Sequence, residues 1–284
     1  MIRYDYYKPR TLDEAWELQS KTSDARFVAG GTDLMVGIKN GVVKPPAVLS
    51  LRSIPDLSGV ETGDVTRIGA MTTITDTIGN PEIASRYPVL IQAARELGSV
   101  QVRNVATIGG NLCNASPCAD MALPLLVLDA SVRLQKPGSS RDVPLYQFFT
   151  GPKVTCIEPG EILTHILIPE PPAGAVATFM KRGRVKMDIA VASVATLLHM
   201  DGDKCLKARV AAGSVAPVPL RLGDVEKILE GAEITKEKAN EAQALAEKSV
   251  SPITDIRSTA EYRTQLVGVY TRRSIEQILG WSES

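Results

Sequence analysis

The stretch VATIGGNLCNASPCADMALPLLVLD, residues Val105–Asp129, is the part of the chain that decides the fold. Its β-branched beginning runs into Gly109-Gly110, a polar loop follows, and an apolar run ends it. A glycine pair lets the backbone approach another group closely, because there is no Cβ and positive φ costs nothing. The stretch therefore predicts a strand, a glycine turn that could hold a ligand, and a buried helix. The alternative is a plain turn between strand and helix, as most Gly-Gly pairs are.

A second glycine pair lies in VAGGTDL, residues Val28–Leu34, where it predicts a strand, a Gly-Gly turn and the start of a helix. The first N–H groups of a helix lack internal partners and its amino end is positive, which suits a phosphate. The alternative is that Thr32 or Asp33 only caps its own helix. The segment contains neither a GxGxxG nor a GxxxxGK[ST] motif. Two turns with the same order of strand, glycine pair, polar residues and helix favour a shared extended ligand such as a dinucleotide. The alternative is that the two turns are unrelated.

Composition and charge describe an ordinary globular protein. The 284 residues are enough for two or three subdomains, and 44% of them are hydrophobic. The 32 basic residues balance the 32 acidic ones, so no basic surface for nucleic acid or anionic lipid is indicated. The beginning MIRYDYYKPRTLDEAW contains no apolar targeting segment, and no apolar run approaches the length of a membrane span. The sequence therefore predicts a cytoplasmic protein without a membrane span.

The four cysteines are Cys113, Cys118, Cys156 and Cys205. They are too few and too scattered for a disulfide framework, and none forms the CxxC pair typical of zinc or iron–sulfur sites. We therefore expect no metal site in this chain. Cys113 and Cys118 are expected to be small packing residues.

Hydrophobic periodicity and capping residues predict a mixed order of helices and strands. The terminal third reads as a β-meander followed by helices, which is an α+β arrangement. The predicted helices include 11–21, 88–97, 236–248 and one starting at Ser258, and the predicted strands include 47–51, 66–70, 162–169, 177–182, 189–200 and 205–214.

The sequences of the two glycine segments resemble those of one known family. The chain is similar to the FAD-binding (medium) subunits of the molybdenum hydroxylases, of the carbon monoxide dehydrogenase, xanthine dehydrogenase and nicotinate dehydrogenase type. The order, spacing and length fit, and the likeness covers the whole chain. The residues that carry it are Ala29–Leu34, Arg103–Leu112, Ala115-Ser116-Pro117 with Asp120, and Ala260–Arg263 with Arg272-Arg273.

The resemblance implies an α+β fold. Its first part would be a p-cresol methylhydroxylase-type FAD-binding fold of two α+β subdomains, and its last part a C-terminal α+β domain with an antiparallel sheet and helices. In this chain the FAD-binding subdomains would cover 1–55 and 56–174, and the C-terminal domain 175–284.

The resemblance also implies which residues bind FAD. Val28, Ala29, Gly30, Gly31, Thr32, Asp33 and Leu34 would form the first pyrophosphate loop, and Thr107, Ile108, Gly109, Gly110 and Asn111 the second. Asp120 would bond the ribose or adenine end. Leu163 would pack near the adenine or ring system, and Lys181 would be a basic contact from the C-terminal domain. Neither His165 nor His199 lies in a glycine loop, so we expect the FAD to be non-covalent.

The function implied is electron transfer. A small subunit with [2Fe-2S] clusters would supply electrons, FAD would pass them to NAD+ or another acceptor, and a large subunit would carry the molybdopterin. The complex would be a dimer of heterotrimers. Since a flavin carries the redox chemistry itself, we expect no catalytic side chain here. The alternative is a self-contained FAD-dependent oxidoreductase of the same fold, acting on its own substrate.

Overall fold

The computed structural model describes residues 3–281, which form an α+β protein built on three main sheets. This confirms the predicted fold class. The sheets follow one another along the chain, so each one belongs to a continuous part of the sequence.

The first sheet is parallel and has the order β1-β3-β2. Its central strand β3 is buried along its whole length, because it has a neighbour on each side and helices across its face. Thr11 caps the first helix through its hydroxyl, which accepts from the Glu14 N–H at 3.1 Å. The elements are β1 (Asp5–Tyr7), α1 (Leu12–Lys21), β2 (Arg26–Val28), α2 (Leu34–Lys39) and β3 (Ala47–Ser50), followed by 3-10 turns at Leu51–Ser53 and Pro55–Leu57.

The second sheet is antiparallel and has the order β4-β5-β10-β6-β7. Its strands are β4 (Val60–Glu61), β5 (Val65–Gly69), β6 (Ser131–Lys136), β7 (Ser139–Pro144) and β10 (Ile162–Pro169). The short strands β8 (Phe149–Gly151) and β9 (Val154–Thr155) pair as a separate hairpin. The helices are α3 (Ile74–Gly79), α4 (Pro81–Arg86), α5 (Pro88–Glu96), α6 (Val100–Arg103), α7 (Ile108–Cys113), α8 (Ala122–Val127) and α9 (Leu145–Phe148).

The third sheet is an antiparallel meander, in agreement with the predicted terminal third. Its strands are β11 (Val176–Arg182), β12 (Ala192–Asp201), β13 (Lys204–Gly213) and β14 (Leu220–Arg221). The helices α10 (Gly223–Leu229), α11 (Lys236–Lys248) and α12 (Ala260–Ile278) follow. The last helix begins at Ala260 and is capped by the Thr259 hydroxyl, so the predicted cap Ser258 is wrong by one residue.

The prediction of a strand that ends in a Gly109-Gly110 turn is wrong. Both glycines lie in the first turn of α7, and Thr107 caps this helix by accepting from the Gly110 N–H at 3.0 Å. A Cβ on Gly109 would lie 2.6 Å from the Cβ of Ala70, so glycine allows the helix to pack on this neighbour. Gly31 does lie in a turn, with φ of +76°. The two glycine pairs are therefore not of one design.

The cysteines are free thiols, and their environments differ. Cys205 is buried, whereas Cys118 and Cys156 are half-buried. Cys113 is exposed at the end of the short helix α7, whereas its predicted role was packing. Within residues 3–281 no three His, Cys, Asp or Glu side chains are grouped so that they could hold a metal ion. The same part of the chain contains no helix with the length and apolar character needed to cross a membrane.

A charge cluster joins the end of α8 to the third sheet. The Asp129 carboxylate lies 2.7 Å from Lys207 Nζ, 3.1 Å from Arg209 Nε and 3.0 Å from Arg221 Nη1. Burial alone would raise the pKa of this carboxyl, but the three cations hold the pKa below its usual value. The cluster therefore stabilises the contact between the end of α8 and the third sheet while Asp129 is ionised.

Replacing Asp129 by asparagine should cost roughly 1–2 kcal/mol of unfolding free energy at pH 7, since the cluster is partly exposed to solvent. Asparagine tolerates the positive φ of +52° at this position, so Asp129→Asn tests the charge alone. A lowered pKa gives stability that is present above the unfolded-state pKa, near about 4, and is lost as pH falls through the folded-state pKa. Urea unfolding should therefore show a difference from wild type that shrinks between pH 7 and pH 3. An equal difference at both pH values would contradict this assignment.

Candidate functional site

The two predicted glycine loops meet in the structure. A Cβ built on Gly30 would lie 1.9 Å from the carbonyl oxygen of Val105, and one built on Gly110 would lie 3.2 Å from the Cβ of Ala29. Such an approach of backbone to backbone is possible because neither glycine has a side chain. The structure therefore brings the segments Val28–Leu34 and Thr107–Asn111 together, although they are far apart in sequence.

The first loop leaves backbone donors available. Within residues 3–281 the N–H groups of Thr32 and Asp33 donate to no backbone carbonyl. Asp33 stands at the N-cap of α2, yet its exposed side chain makes no capping hydrogen bond, so the alternative of a simple Asp33 cap is wrong. Because α2 has only six residues, we attribute anion affinity here to the N–H groups of the loop and not to a helix dipole.

The second loop carries a buried acceptor without a donor. The side-chain oxygen Oδ1 of Asn111 is buried and has no hydrogen-bond partner. The Gly109 N–H donates to Ala70 O at 2.9 Å, and the Ala70 N–H donates to Thr164 O at 2.8 Å. This chain of bonds ties the second loop to β10, on which the predicted contact Leu163 lies with 4% exposure.

Asp120 and Lys181 form a buried ion pair that joins the segment between α7 and α8 to the third sheet. Lys181 Nζ donates to Asp120 Oδ2 at 2.7 Å and to Glu96 O at 2.9 Å, with only 3% of the lysine side chain exposed. Burial raises the pKa of the Asp120 carboxyl to about 6, and the Lys181 charge opposes this shift. The second oxygen, Oδ1, is buried without a partner. The ammonium of Lys181 is thus committed to Asp120 and to the carboxyl end of α5.

A second bond from the third sheet reaches the same segment between α7 and α8. The Ser214 N–H donates to Pro117 O at 2.8 Å. Ser214 directly follows β13 and has a positive φ of +67°, a conformation that residues with side chains seldom adopt. The meander therefore holds the segment between α7 and α8 at two places, Pro117 and Asp120.

Sequence reasoning missed one residue that reaches both the first loop and the end of α7. Lys153 lies in the turn of the β8–β9 hairpin, with its Nζ 2.9 Å from Asn114 Oδ1 and 3.9 Å from Asp33 Oδ1. The only local signal is the sequence Gly-Pro-Lys between two short strands, which predicts a turn and gives no indication of what its tip contacts.

The donor and acceptor groups suit a ligand that has both anionic groups and hydroxyls. The free N–H groups of Thr32 and Asp33 can bind an anion. The unpaired oxygens of Asn111 and Asp120 can each accept from a hydroxyl, and leaving such buried acceptors unpaired is costly. FAD carries a diphosphate and the hydroxyls of its ribityl and ribose parts, so the residues present fit this cofactor.

Two protein families match most of the chain. The family described as "FAD binding domain in molybdopterin dehydrogenase" matches residues 2–171. The family described as "CO dehydrogenase flavoprotein C-terminal domain" matches residues 177–278. The chain therefore carries the FAD-binding domain of this group, as its sequence resemblance implies.

Individual proteins agree with this result. The chain is 37% identical to the carbon monoxide dehydrogenase medium chain of Afipia carboxidovorans, over 96% of each chain. It is 30% identical to the xanthine dehydrogenase FAD-binding subunit of Escherichia coli O157:H7, over 96% of this chain and 94% of the relative. It superimposes on reconstituted CO dehydrogenase from Oligotropha carboxidovorans with a TM-score of 0.95, at 36% identity and 99% coverage of both chains. The chain belongs to the FAD-binding medium subunits of the molybdopterin dehydrogenases, a family of oxidoreductase subunits.

Proposed function

We propose that this chain is the electron-transferring flavoprotein subunit of a molybdenum hydroxylase. It would take electrons from the [2Fe-2S] clusters of a small subunit and pass them from FAD to NAD+ or another acceptor. The observation that carries the proposal is the contact between the two glycine loops, with Gly30 against the Val105 carbonyl and unpaired buried acceptors beside it. Family membership supports FAD as the ligand.

Each part of the site would have its own task. The backbone of Val28, Ala29, Gly30, Gly31, Thr32, Asp33 and Leu34 would bind one part of the diphosphate, and Thr107, Ile108, Gly109, Gly110 and Asn111 the other. Asp120 would accept from the ribose or adenine end, with Lys181 beside it, and Leu163 would line the pocket for the adenine or the ring system. When bound, FAD supplies the redox chemistry, and the chain supplies binding and orientation. This division agrees with a chain in which we assign no catalytic side chain and no metal ligand.

The proposal extends to the assembly. The partners would be a small [2Fe-2S] subunit and a large molybdopterin subunit, in a dimer of heterotrimers within the cytoplasm. The family name "molybdopterin dehydrogenase" supports a molybdopterin partner. Within the chain we propose subdomains 1–55 and 56–174 and a C-terminal domain 175–284, since the first sheet ends at Ser50 and the third begins at Val176.

Purification of the full chain with FAD tests the proposal. We expect a yellow protein whose flavin is released by acid. NADH, or the reduced form of another acceptor, should reduce the bound flavin rapidly. Reduction by a hydroxylase substrate should require the small and large subunits. Reduction by such a substrate with the isolated chain would support the self-contained oxidoreductase instead. A colourless chain that does not take up FAD would overturn both.

A further inference from the structure

The β8–β9 hairpin reaches the place where the two glycine loops meet, although none of its residues belongs to them. Besides the side-chain contacts of Lys153 with Asn114 and Asp33, its N–H donates to Ala115 O at 2.9 Å. The tip of the hairpin is therefore fixed to the end of α7 by main chain and side chain together.

The backbone at this contact is in an uncommon conformation on both sides. Lys153 has a φ of +62° and Ala115 a φ of +45°, in the left-handed region that residues with side chains seldom occupy. Such conformations persist only where the surrounding structure holds them, and they concentrate at functional sites. The backbone position of Lys153 is thus set by the fold.

The ammonium of Lys153 retains hydrogen-bonding capacity. An ammonium has three N–H donors, and Asn114 accepts from one of them. The Asp33 carboxylate at 3.9 Å is within ion-pair range but beyond a hydrogen bond, and 55% of the lysine side chain is exposed. Lys181, by contrast, is 3% exposed and is bonded to Asp120 and Glu96. Lys153 is therefore a cation beside the loops that can still bind a ligand.

A cation would strengthen the binding of a diphosphate at this place. The exposed Asp33 carboxylate would repel it, and helices α2 and α7 have only six residues each and contribute little dipole. Lys153 is close enough to Asp33 to offset that charge while it donates to a phosphate oxygen. Charge-assisted hydrogen bonds of this kind are the stronger ones.

We propose that Lys153 is a phosphate-binding residue, whose ammonium contacts the diphosphate of a dinucleotide bound at the junction of the two loops. The inference rests on the proposed function, because it takes the loops to be a dinucleotide site. Two dinucleotides share this chemistry, FAD itself and a nicotinamide dinucleotide that exchanges electrons with it. Separate binding measurements distinguish these two sources.

The test compares Lys153→Asn with Lys153→Arg in the full chain. Asparagine removes the charge and favours the left-handed backbone, so the hairpin should be kept, and arginine preserves the charge. Lys136→Met serves as a control, since Lys136 is a partly exposed lysine that pairs with Glu158 and with no residue of the two loops. Dissociation constants for FAD and for riboflavin, which lacks the diphosphate, are measured from flavin fluorescence at low and high salt. NADH binding is measured on the FAD-loaded protein.

If the FAD diphosphate is the ligand, Lys153→Asn should weaken FAD roughly tenfold and reduce the salt dependence of its binding, with riboflavin unchanged and affinity restored by arginine. If the nicotinamide dinucleotide is the ligand, NADH binding should weaken by a similar factor with FAD unchanged. Equal weakening of FAD and riboflavin would show that Lys153 only holds the loops together, and this would overturn the inference. Unchanged binding of both dinucleotides would also overturn it. A wild-type chain that binds no flavin would instead refute the proposed function, and this inference with it.

Discussion

Replacing Gly30 by alanine is expected to separate the two glycine loops and abolish FAD binding. The added Cβ would lie 1.9 Å from the carbonyl oxygen of Val105 and 2.6 Å from its carbonyl carbon. These are backbone atoms, which cannot rotate away as the end of a flexible side chain would. Overpacking of this kind usually costs about 1–3 kcal/mol and sometimes more. The cost falls on the place where the diphosphate would bind, so affinity should suffer more than global stability.

The measurement is FAD content after gel filtration, together with the thermal unfolding temperature. Gly79→Ala is the matched control, because a Cβ there would meet nothing within 4 Å and the glycine ends an exposed helical turn. We expect the control to keep its flavin and to change the unfolding free energy by less than about 0.5 kcal/mol. A Gly30→Ala protein that is folded and carries a full complement of FAD would refute this description of the site.

Removing the Lys181 charge should destabilise the chain strongly, and more so at higher pH. In Lys181→Met the Asp120 carboxylate loses its buried partner, and breaking such a pair costs about 3–5 kcal/mol. The pKa of Asp120 is already raised to about 6 by burial, and without Lys181 it should rise further. A carboxyl with a raised pKa contributes stability that is complete below its unfolded-state pKa and is lost as pH rises through the folded-state pKa.

The difference between wild type and Lys181→Met should therefore be small at pH 5, where Asp120 is mostly protonated, and reach about 3 kcal/mol by pH 8. Urea unfolding at several pH values measures it. Lys207→Met is the control, since Lys207 pairs with Asp129, whose pKa is lowered and whose charge is constant over this range. Its effect should not change between pH 5 and pH 8. A Lys181→Met effect that is constant, or is larger at pH 5, would contradict the assignment.

Much of the secondary structure could be predicted from the sequence, because helix starts and apolar periodicity depend on residues that are close in sequence. Proline and apolar periodicity predicted a helix over 88–97, which the structure has as α5 at Pro88–Glu96, and the apolar run after Asp120 predicted α8. The pattern failed at Gly109-Gly110, since glycine is a poor helix former and the reason for it here is a contact with Ala70. Tertiary packing decided that segment against its propensity.

The site shows the same division. The two glycine loops could be predicted as ligand-binding segments from their sequences, and the structure brings them into contact. The partner of Lys181 could not, because Asp120 is 61 residues away in sequence and no local spacing connects the two. Lys153 and Asn114 are separated by 39 residues, and their contact depends on how the hairpin is placed over α7. Contacts between residues so far apart in sequence depend on how the sheets are arranged. Local sequence patterns do not define that arrangement.

The two bonds from the meander to the segment between α7 and α8 have a consequence for biosynthesis. Both glycine loops leave the ribosome before Lys181 and Ser214, whose bonds to Asp120 and Pro117 hold the segment between α7 and α8. A nascent or prematurely terminated chain that ends near residue 171 has both glycine pairs and neither tether. We therefore expect stable binding of the dinucleotide to require the third sheet. Fragments that stop before the meander should remain colourless even where their own sheets have folded.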